Sequence, residues 1–356
     1  MNDWLNLDFL QQHSLDMRQF IDFRGSTLPN GMRVFDAHNS SGLTFSVLPD
    51  RGMDIWSANY KGIPLTWIAP GSPHFPDYGH NWLGLFNGGL LTTCGLTHVG
   101  PPEDDRDLHG NFTRCRATEI STDRQTDRIQ LNAHIYQSSL FGEQFEVIRT
   151  FTLRLGIPEI HIHDKVMNIG DQSSPFMLLY HCNVGYPMVR EHTELLVNSK
   201  VFPRDDIART GIDRWHVYEA ATQGYAEQVF FHHLQDTSTK IAEAALLNEN
   251  LGLKFSWDTH TLPYLTQWKN TRQGIYVSGI EPGNCIPEGQ NAARASGRLH
   301  LLEPGEQQEF DLWITVIEGK NSVYHYREAM EAARRNATPL EGIQLTDYEA
   351  GDWNTK

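Results

Sequence analysis

The sequence predicts an all-β protein of antiparallel sheets packed face to face, with short helices at its two ends. Three observations carry that prediction. Apolar and polar residues alternate at period two through most of the chain. Helical patterning is confined to the termini. No strand–helix–strand alternation occurs, which argues against a doubly wound parallel sheet. No repeat of about 20–50 residues recurs, so a propeller or solenoid is disfavoured. No Pro/Ser/Gly-rich linker divides the chain, and residues 1–356 read as one domain.

NDWLNLDFLQQ, near the start, is a modest helical signal. Strands are expected at 31–38 and 43–49. MDIWSANYKGIPLTWI (53–68) reads as a hairpin turning at Lys61-Gly62. From 69 to 115 many Gly, Pro, His and Asp residues suggest loops over one mouth of the sheets. Strands follow at 116–122 and 128–137. In EQFEVIRTFTLRL (143–155), Phe145, Val147, Phe151, Leu153 and Leu155 share one face, which Arg149 interrupts. The opposite face is mixed, as in a strand covered on both sides. Pro158 separates it from EIHIHDKVMN (159–168), so the two form a hairpin. Further strands are expected at 176–182, 194–200, 227–234, 240–247, 252–258, 263–269, 275–280, 297–303 and 308–317. SVYHYREAMEAARRN (322–336) is helical, with Ser322 as its cap and Arg334-Arg335 suited to the C-terminal dipole.

With 39% hydrophobic and 21% charged residues the composition is globular. A net charge of −15 repels phosphate backbones and anionic lipid, so neither nucleic acid nor membrane is the expected partner. The N-terminus lacks the features of a signal peptide, and no apolar run approaches the roughly 18 residues of a membrane helix. Cys94, Cys115, Cys182 and Cys285 are widely spaced, without a C-x-x-C pair. That argues against a disulfide framework or zinc-thiolate site and points to the cytoplasm.

Nucleotide, zinc-protease and serine-hydrolase signatures are missing. What remains is His and carboxylate chemistry. LTHVGPPEDDRDLHGNFTR (96–114) carries two His and several acids, and is most simply a solvated loop. His181 sits within the apolar run MLLYHCNVGYP (177–187), either as a core histidine or as an acid at a pocket wall. In YVSGIEPGNCIPEG (276–289) a strand runs into Glu281-Pro282-Gly283, which suits a general base and equally a turn acid. His98, Asp104, Asp107 and His109 could gather a cation, yet no compact ligand pattern supports it. No metal and no cofactor are expected.

Several segments together resemble the aldose 1-epimerase (galactose mutarotase-like) superfamily. They are LPDRGMDIW (48–56), FNGGLLTTCGLTHVG (86–100), LHGNFTR (108–114), LLYHCNVGYP (178–187), GYAEQVFF (224–231) and GIEP (279–282). No one of them is specific, but their order is that of the family, and the resemblance spans about residues 30 to 318. It implies an antiparallel β-supersandwich with a sugar cleft on a concave face. It also implies His181 as general acid, Glu281 as general base and His109 as a hydrogen-bond partner of the sugar. Glu227 stands near where relatives use Asp, with Gln228 an equal alternative register. Arg51 and Asp54 are further candidates for the pocket, or else a buried structural ion pair. Asn87 replaces the Arg that relatives carry before Gly-Gly, which weakens the case for a sugar phosphate; Arg114 is retained.

The implied function is mutarotation of a free monosaccharide. Glu281 would take the C1-hydroxyl proton while His181 protonates the ring oxygen. Mutual attraction would raise the pKa of His181 and lower that of Glu281. Trp56, Trp67, Trp82 and Tyr186 lie near these motifs and could stack on a sugar, although most Trp residues belong to cores. A sugar-binding sensor on the same fold, or another sugar isomerase, lyase or hydrolase, remains a rival. The sequence names neither the sugar nor the oligomeric state, for which a homodimer is one candidate.

Overall fold

The computed structural model describes residues 5–76, 81–234 and 240–336. In chain order it runs α1 (Leu7–His13), β1 (Asp22–Thr27), β2 (Arg33–His38), β3 (Leu43–Leu48), β4 (Asp54–Tyr60), β5 (Ile63–Pro64) and β6 (Thr92–Leu96). Next come β7 (Ala117–Arg124), β8 (Arg128–Ser138), β9 (Gln144–Arg154), β10 (Glu159–Asn168), β11 (Ser174–Gly185), β12 (Glu194–Val197) and β13 (Ser199–Pro203). The rest are α2 (Asp206–Arg209), β14 (Gln228–Leu234), β15 (Ile241–Leu247), β16 (Leu251–Asp258), β17 (Tyr264–Arg272), β18 (Ile275–Gly283), α3 (Gln290–Ala295), β19 (His300–Leu302), β20 (Gln307–Glu318) and α4 (Lys320–Asn336).

The strands form three antiparallel sheets. Five strands run β1-β2-β3-β4-β5, and eight run β12-β15-β16-β20-β10-β9-β8-β7. The third sheet runs β13-β14-β17-β18-β11-β19, and β6 also pairs with β11. One hydrophobic core draws on all three sheets, with Phe45 and Ile55 from the first, Phe151 and Ile314 from the second, and Tyr180 and Ile280 from the third. The fold class is therefore the predicted antiparallel supersandwich. Among the described residues no helix is long and apolar enough to cross a membrane.

The Lys61-Gly62 turn forms as expected, both residues having positive φ (50° and 82°), which matches the twist of a two-residue hairpin. Several elements differ from expectation. The single strand foreseen at 194–200 is two, β12 in the eight-stranded sheet and β13 in the third. The loop region contains β6, wholly buried and therefore without alternation. The face of β9 opposite its core residues is half exposed rather than covered. Ser322 lies inside α4, which starts at Lys320, and is not its cap. Part of the first helical prediction, residues 2–4, lies outside the described residues; the observed helix is capped by Asn6, whose side chain accepts from the Asp8 and Phe9 amides.

Arg149, the residue that breaks the apolar face of β9, is buried and answered by charge. Its Nε and Nη2 donate to Asp164 on β10 at 2.8 and 2.6 Å. Nη1 donates to the Gly52 carbonyl and Thr93 Oγ1 and lies 3.3 Å from Asp54 Oδ1. Tyr180 of β11 donates its hydroxyl to Asp164 Oδ2 at 2.7 Å. This network ties the three sheets together at their meeting point.

Candidate active site

Strand register builds the site. On β11, alternation turns Tyr180 toward the core network and His181 to the other face. The ladder between β11 and β18 passes from Leu179–Gly283 to Cys182–Ile280, which sets His181 opposite Glu281. On the far side of β18, Glu281 pairs with Thr266 of β17, and on the far side of β11, His181 pairs with Thr92 of β6. The resulting row presents His181 Nε2 3.2 Å from Glu281 Oε1, with both side chains buried. Gly279 contributes by having no side chain, since a Cβ there would collide with Glu281 Oε1. Glu281 lies within β18 and not at a strand end as expected, because the strand continues through Pro282 to Gly283.

The pair stands in a cleft of about 110 Å³. Trp82 stacks on Phe86 with ring centroids 4.7 Å apart, and Phe86 meets Trp268 edge-on at 6.4 Å. His109 closes one side, 4.9 Å from Trp82 and 6.2 Å from His181 between ring centroids. Its backbone has a φ of 55°, and Gly110 beside it has a φ of 75°. A Cβ on Gly110 would come within 2.5 Å of the Gly95 carbonyl, so glycine is required for this turn to pack on β6. The remaining polar lining is Arg204, Glu227 and Thr266. Trp268 donates its indole N–H to Glu227 Oε2 at 2.9 Å, and Arg204 Nη2 lies 3.6 Å from Glu227 Oε1.

Burial dominates the titration of the pair. Loss of solvent drives His181 down to about 4. It pushes Glu281 well above the usual carboxylate range, with the nearby Glu227 charge adding to the rise and Arg204 opposing it. This corrects the expected direction, in which mutual attraction would raise the histidine and lower the acid. Burial favours a neutral imidazole beside a protonated carboxyl. Four residues that line the cleft also carry a buried polar atom with no hydrogen-bond partner among the described residues: Trp82 Nε1, His181 Nδ1, Thr266 Oγ1 and Glu281 Oε1. Such atoms are costly unless a ligand or water completes them.

The structure thus brings together His181, Glu281, His109 and Glu227. Glu227, not Gln228, is the position facing the cleft, since the Gln228 amide is engaged by Tyr225, Ile207 and Thr210. The other expected contacts lie elsewhere. Arg51 is buried and donates to the carbonyls of Thr113, His74 and Leu85. Asp54 accepts from Thr93 and Thr113 beside Arg149, so it belongs to the core network. Asn87 accepts from the His74 amide at 2.9 Å and is not part of the cleft lining. Arg114 acts at one remove. Its guanidinium holds Asp107 at 2.5 Å, and Asp107 Oδ2 accepts from the Asn81 and Trp82 amides. That clamp positions Trp82 and the His109 turn. Of the four aromatics singled out, Trp82 lines the cleft, Trp67 stacks behind it on Phe86, and Trp56 and Tyr186 do not reach it.

His98 and Asp107 do not converge on a cation, as His98 Nε2 faces the Pro101 carbonyl and Asp107 is committed to Arg114. Among the described residues no three His, Cys, Asp or Glu side chains are grouped to hold a metal ion. Sequence reasoning missed Arg204, Thr266 and Trp268. The last two share one face of a predicted strand, Thr266 pairing with Glu281 and Trp268 with Gly279, so that shared face was the available signal; Arg204 had none. A larger cleft of about 680 Å³, lined by Tyr186, His192, Tyr324 and Arg327, has no comparable pair.

Residues 29–316 match the family model described as a domain of unknown function, DUF4432, and the chain belongs to that family. None of the curated proteins is a detectable sequence relative of this chain. Solved structures share its fold. A candidate aldose 1-epimerase from Klebsiella pneumoniae subsp. pneumoniae superposes with a TM-score of 0.81 at 22% identity, covering 94% of this chain and 97% of that one. The galactose 1-epimerase of Lactobacillus acidophilus gives 0.55 at 13% identity, over 84% and 99%. A galactose mutarotase-like protein from Clostridium acetobutylicum gives 0.60 at 12% identity, over 84% and 99%. The fold is that of the galactose mutarotase-like proteins.

Proposed function

We propose that this protein is an aldose 1-epimerase, interconverting the α and β anomers of a free monosaccharide with His181 and Glu281 as its acid–base couple. The observation that supports this best is the buried cross-strand pair, 3.2 Å apart in an aromatic cleft where Trp82 Nε1, His181 Nδ1 and Thr266 Oγ1 have no hydrogen-bond partner among the described residues. Anomer exchange needs the C1 hydroxyl to lose a proton and the ring oxygen to gain one. These two oxygens share one carbon, so adjacent groups on one wall can serve both.

The proton count explains how a neutral pair can work. Carboxylate with imidazolium, and carboxylic acid with imidazole, hold the same single proton. When Glu281 takes the C1-hydroxyl proton and His181 protonates the ring oxygen, the ring opens and leaves the neutral pair. Rotation about C1–C2 then lets the same groups close the ring on the other carbonyl face, with protons returning along the same routes. Each turnover therefore visits both forms, and the form that burial favours is the one that follows ring opening. His109, Glu227 and Arg204 would orient hydroxyls, while Trp82, Phe86 and Trp268 would receive C–H faces. Arg114 and Asp107 would act through the residues they hold.

The test is anomer exchange followed by NMR across hexoses, pentoses and deoxypentoses. At least one sugar should exchange faster than its uncatalysed rate, and Glu281→Gln should slow that exchange about 10³-fold with the fold intact. A Glu281→Gln protein as fast as wild type would overturn the assignment. Binding without exchange by wild type would instead support a sugar sensor.

A further inference from the structure

The charges around the cleft bear on its substrate class. This inference rests on the sugar reading above and narrows it. Among the described residues lining the cleft, Arg204 is the one arginine or lysine, and Glu227 and Glu281 are the carboxylates. Arg204 is already engaged. Its Nε and Nη2 donate to Asp205 Oδ2 at 2.9 and 2.8 Å, and Nη2 lies 3.6 Å from Glu227. Asp205 is itself fixed, because its Oδ1 accepts the Ala208 amide as the cap of α2. Glu227 is fixed by the Trp268 indole. The guanidinium thus serves two carboxylates of the protein and offers no uncompensated charge to a ligand anion. The remaining walls are rings and aliphatic groups from Trp82, Leu83, Phe86, Val229, Trp268 and Pro287.

We infer that the cleft selects an uncharged aldose and rejects sugar phosphates and sugar acids, with the Asp205–Arg204–Glu227 group as the discriminating element. A phosphate ester brings about two negative charges and a uronate brings one. Either would meet Glu227 at close range in a small cleft, where like charges repel strongly, while Arg204 beside it is already committed to Asp205. The net charge of −15 acts in the same direction at longer range. Neutral hydroxyls, by contrast, can both donate to Glu227 and accept from Arg204 without a charge penalty.

The experiment compares D-glucose, D-glucuronate and D-glucose 6-phosphate, and separately D-ribose and D-ribose 5-phosphate, by NMR anomer exchange with the wild-type protein. Within each series kcat/KM should fall with ligand charge, by about 100-fold from the neutral sugar to the phosphate. In Glu227→Gln the ratio of phosphate to neutral kcat/KM should rise about tenfold, because one competing carboxylate has gone. A phosphate turned over as well as its neutral parent would overturn the inference and leave the mutarotase reading standing. If none of the five exchanges, saturation-transfer NMR of the same sugars separates the two readings. Binding of neutral sugars but not phosphates would uphold charge selection without catalysis. Equal or stronger binding of phosphates, or no binding by any sugar, would overturn it.

Discussion

Tyr180 and His181 are adjacent on β11 and face opposite worlds. Tyr180 joins Arg149, Asp164 and Asp54 in a buried ionic network in which nearly every donor and acceptor has a partner. His181 joins Glu281 in a pair just as buried, yet one that leaves polar atoms without partners. Both regions place ionisable groups out of water. In the network, charge is met by charge, and the carboxylate of Asp164 receives Arg149 and Tyr180 together. In the cleft, burial instead drives both groups toward their neutral forms. The difference teaches which buried charges hold a fold and which await a ligand. Completeness of hydrogen bonding separates them, and burial alone does not.

The contrast can be broken from either side. The largest effect outside the cleft should come from Arg149→Met, which strands Asp164 and Asp54 in the core. A loss of about 3–5 kcal/mol is expected, read as a fall in denaturant midpoint. Activity per folded molecule should stay close to wild type, and a stable variant with a dead active site would put the network in the chemistry. Gly279→Ala should do the reverse. The new Cβ would collide with Glu281 Oε1 and lie 2.9 Å from Trp268 Cβ, so it displaces the carboxylate and kcat falls by up to about 100-fold, at a smaller cost in stability than Arg149→Met. Unchanged kcat would show that the carboxylate position is not critical. The smallest effect is in pH dependence. The active pair holds one proton, so kcat/KM should decline as pH falls through about 4, where His181 takes up a second proton and the pair has no base. On the alkaline side the decline should lie well above the ordinary carboxylate range, where Glu281 loses its proton. A single break near the ordinary histidine value of about 6.5 would show that the pair is not held neutral.

Much of this fold was legible because half-buried strands alternate. Residues 128–138, 144–154 and 159–168 announce themselves that way, and Arg149 stood out as a charge on an apolar face. β6 did not, because it is buried on both sides and has no alternation to see. Glu281 was found, but its strand was cut short, since Pro282 has no N–H to give a central strand and reads as a stop. The site was legible where a resemblance fixed a position, as for His181, Glu281 and His109. It misled at Arg51 and Asp54, because charges in a motif look alike whether they face a ligand or a carbonyl of the core. Arg204 was invisible, since only the return of the chain after β13 carries it to the cleft.

The most direct test of the central claim is a two-by-two comparison of anomer exchange rates for wild type, His181→Asn, Glu281→Gln and the double variant, on the sugar that exchanges fastest. Each single change should cost about 10³-fold and the double little more than either, because one proton path needs both groups. Singles that each lose little, or losses that multiply in the double, would contradict a coupled pair and return His181 to the status of a buried core histidine.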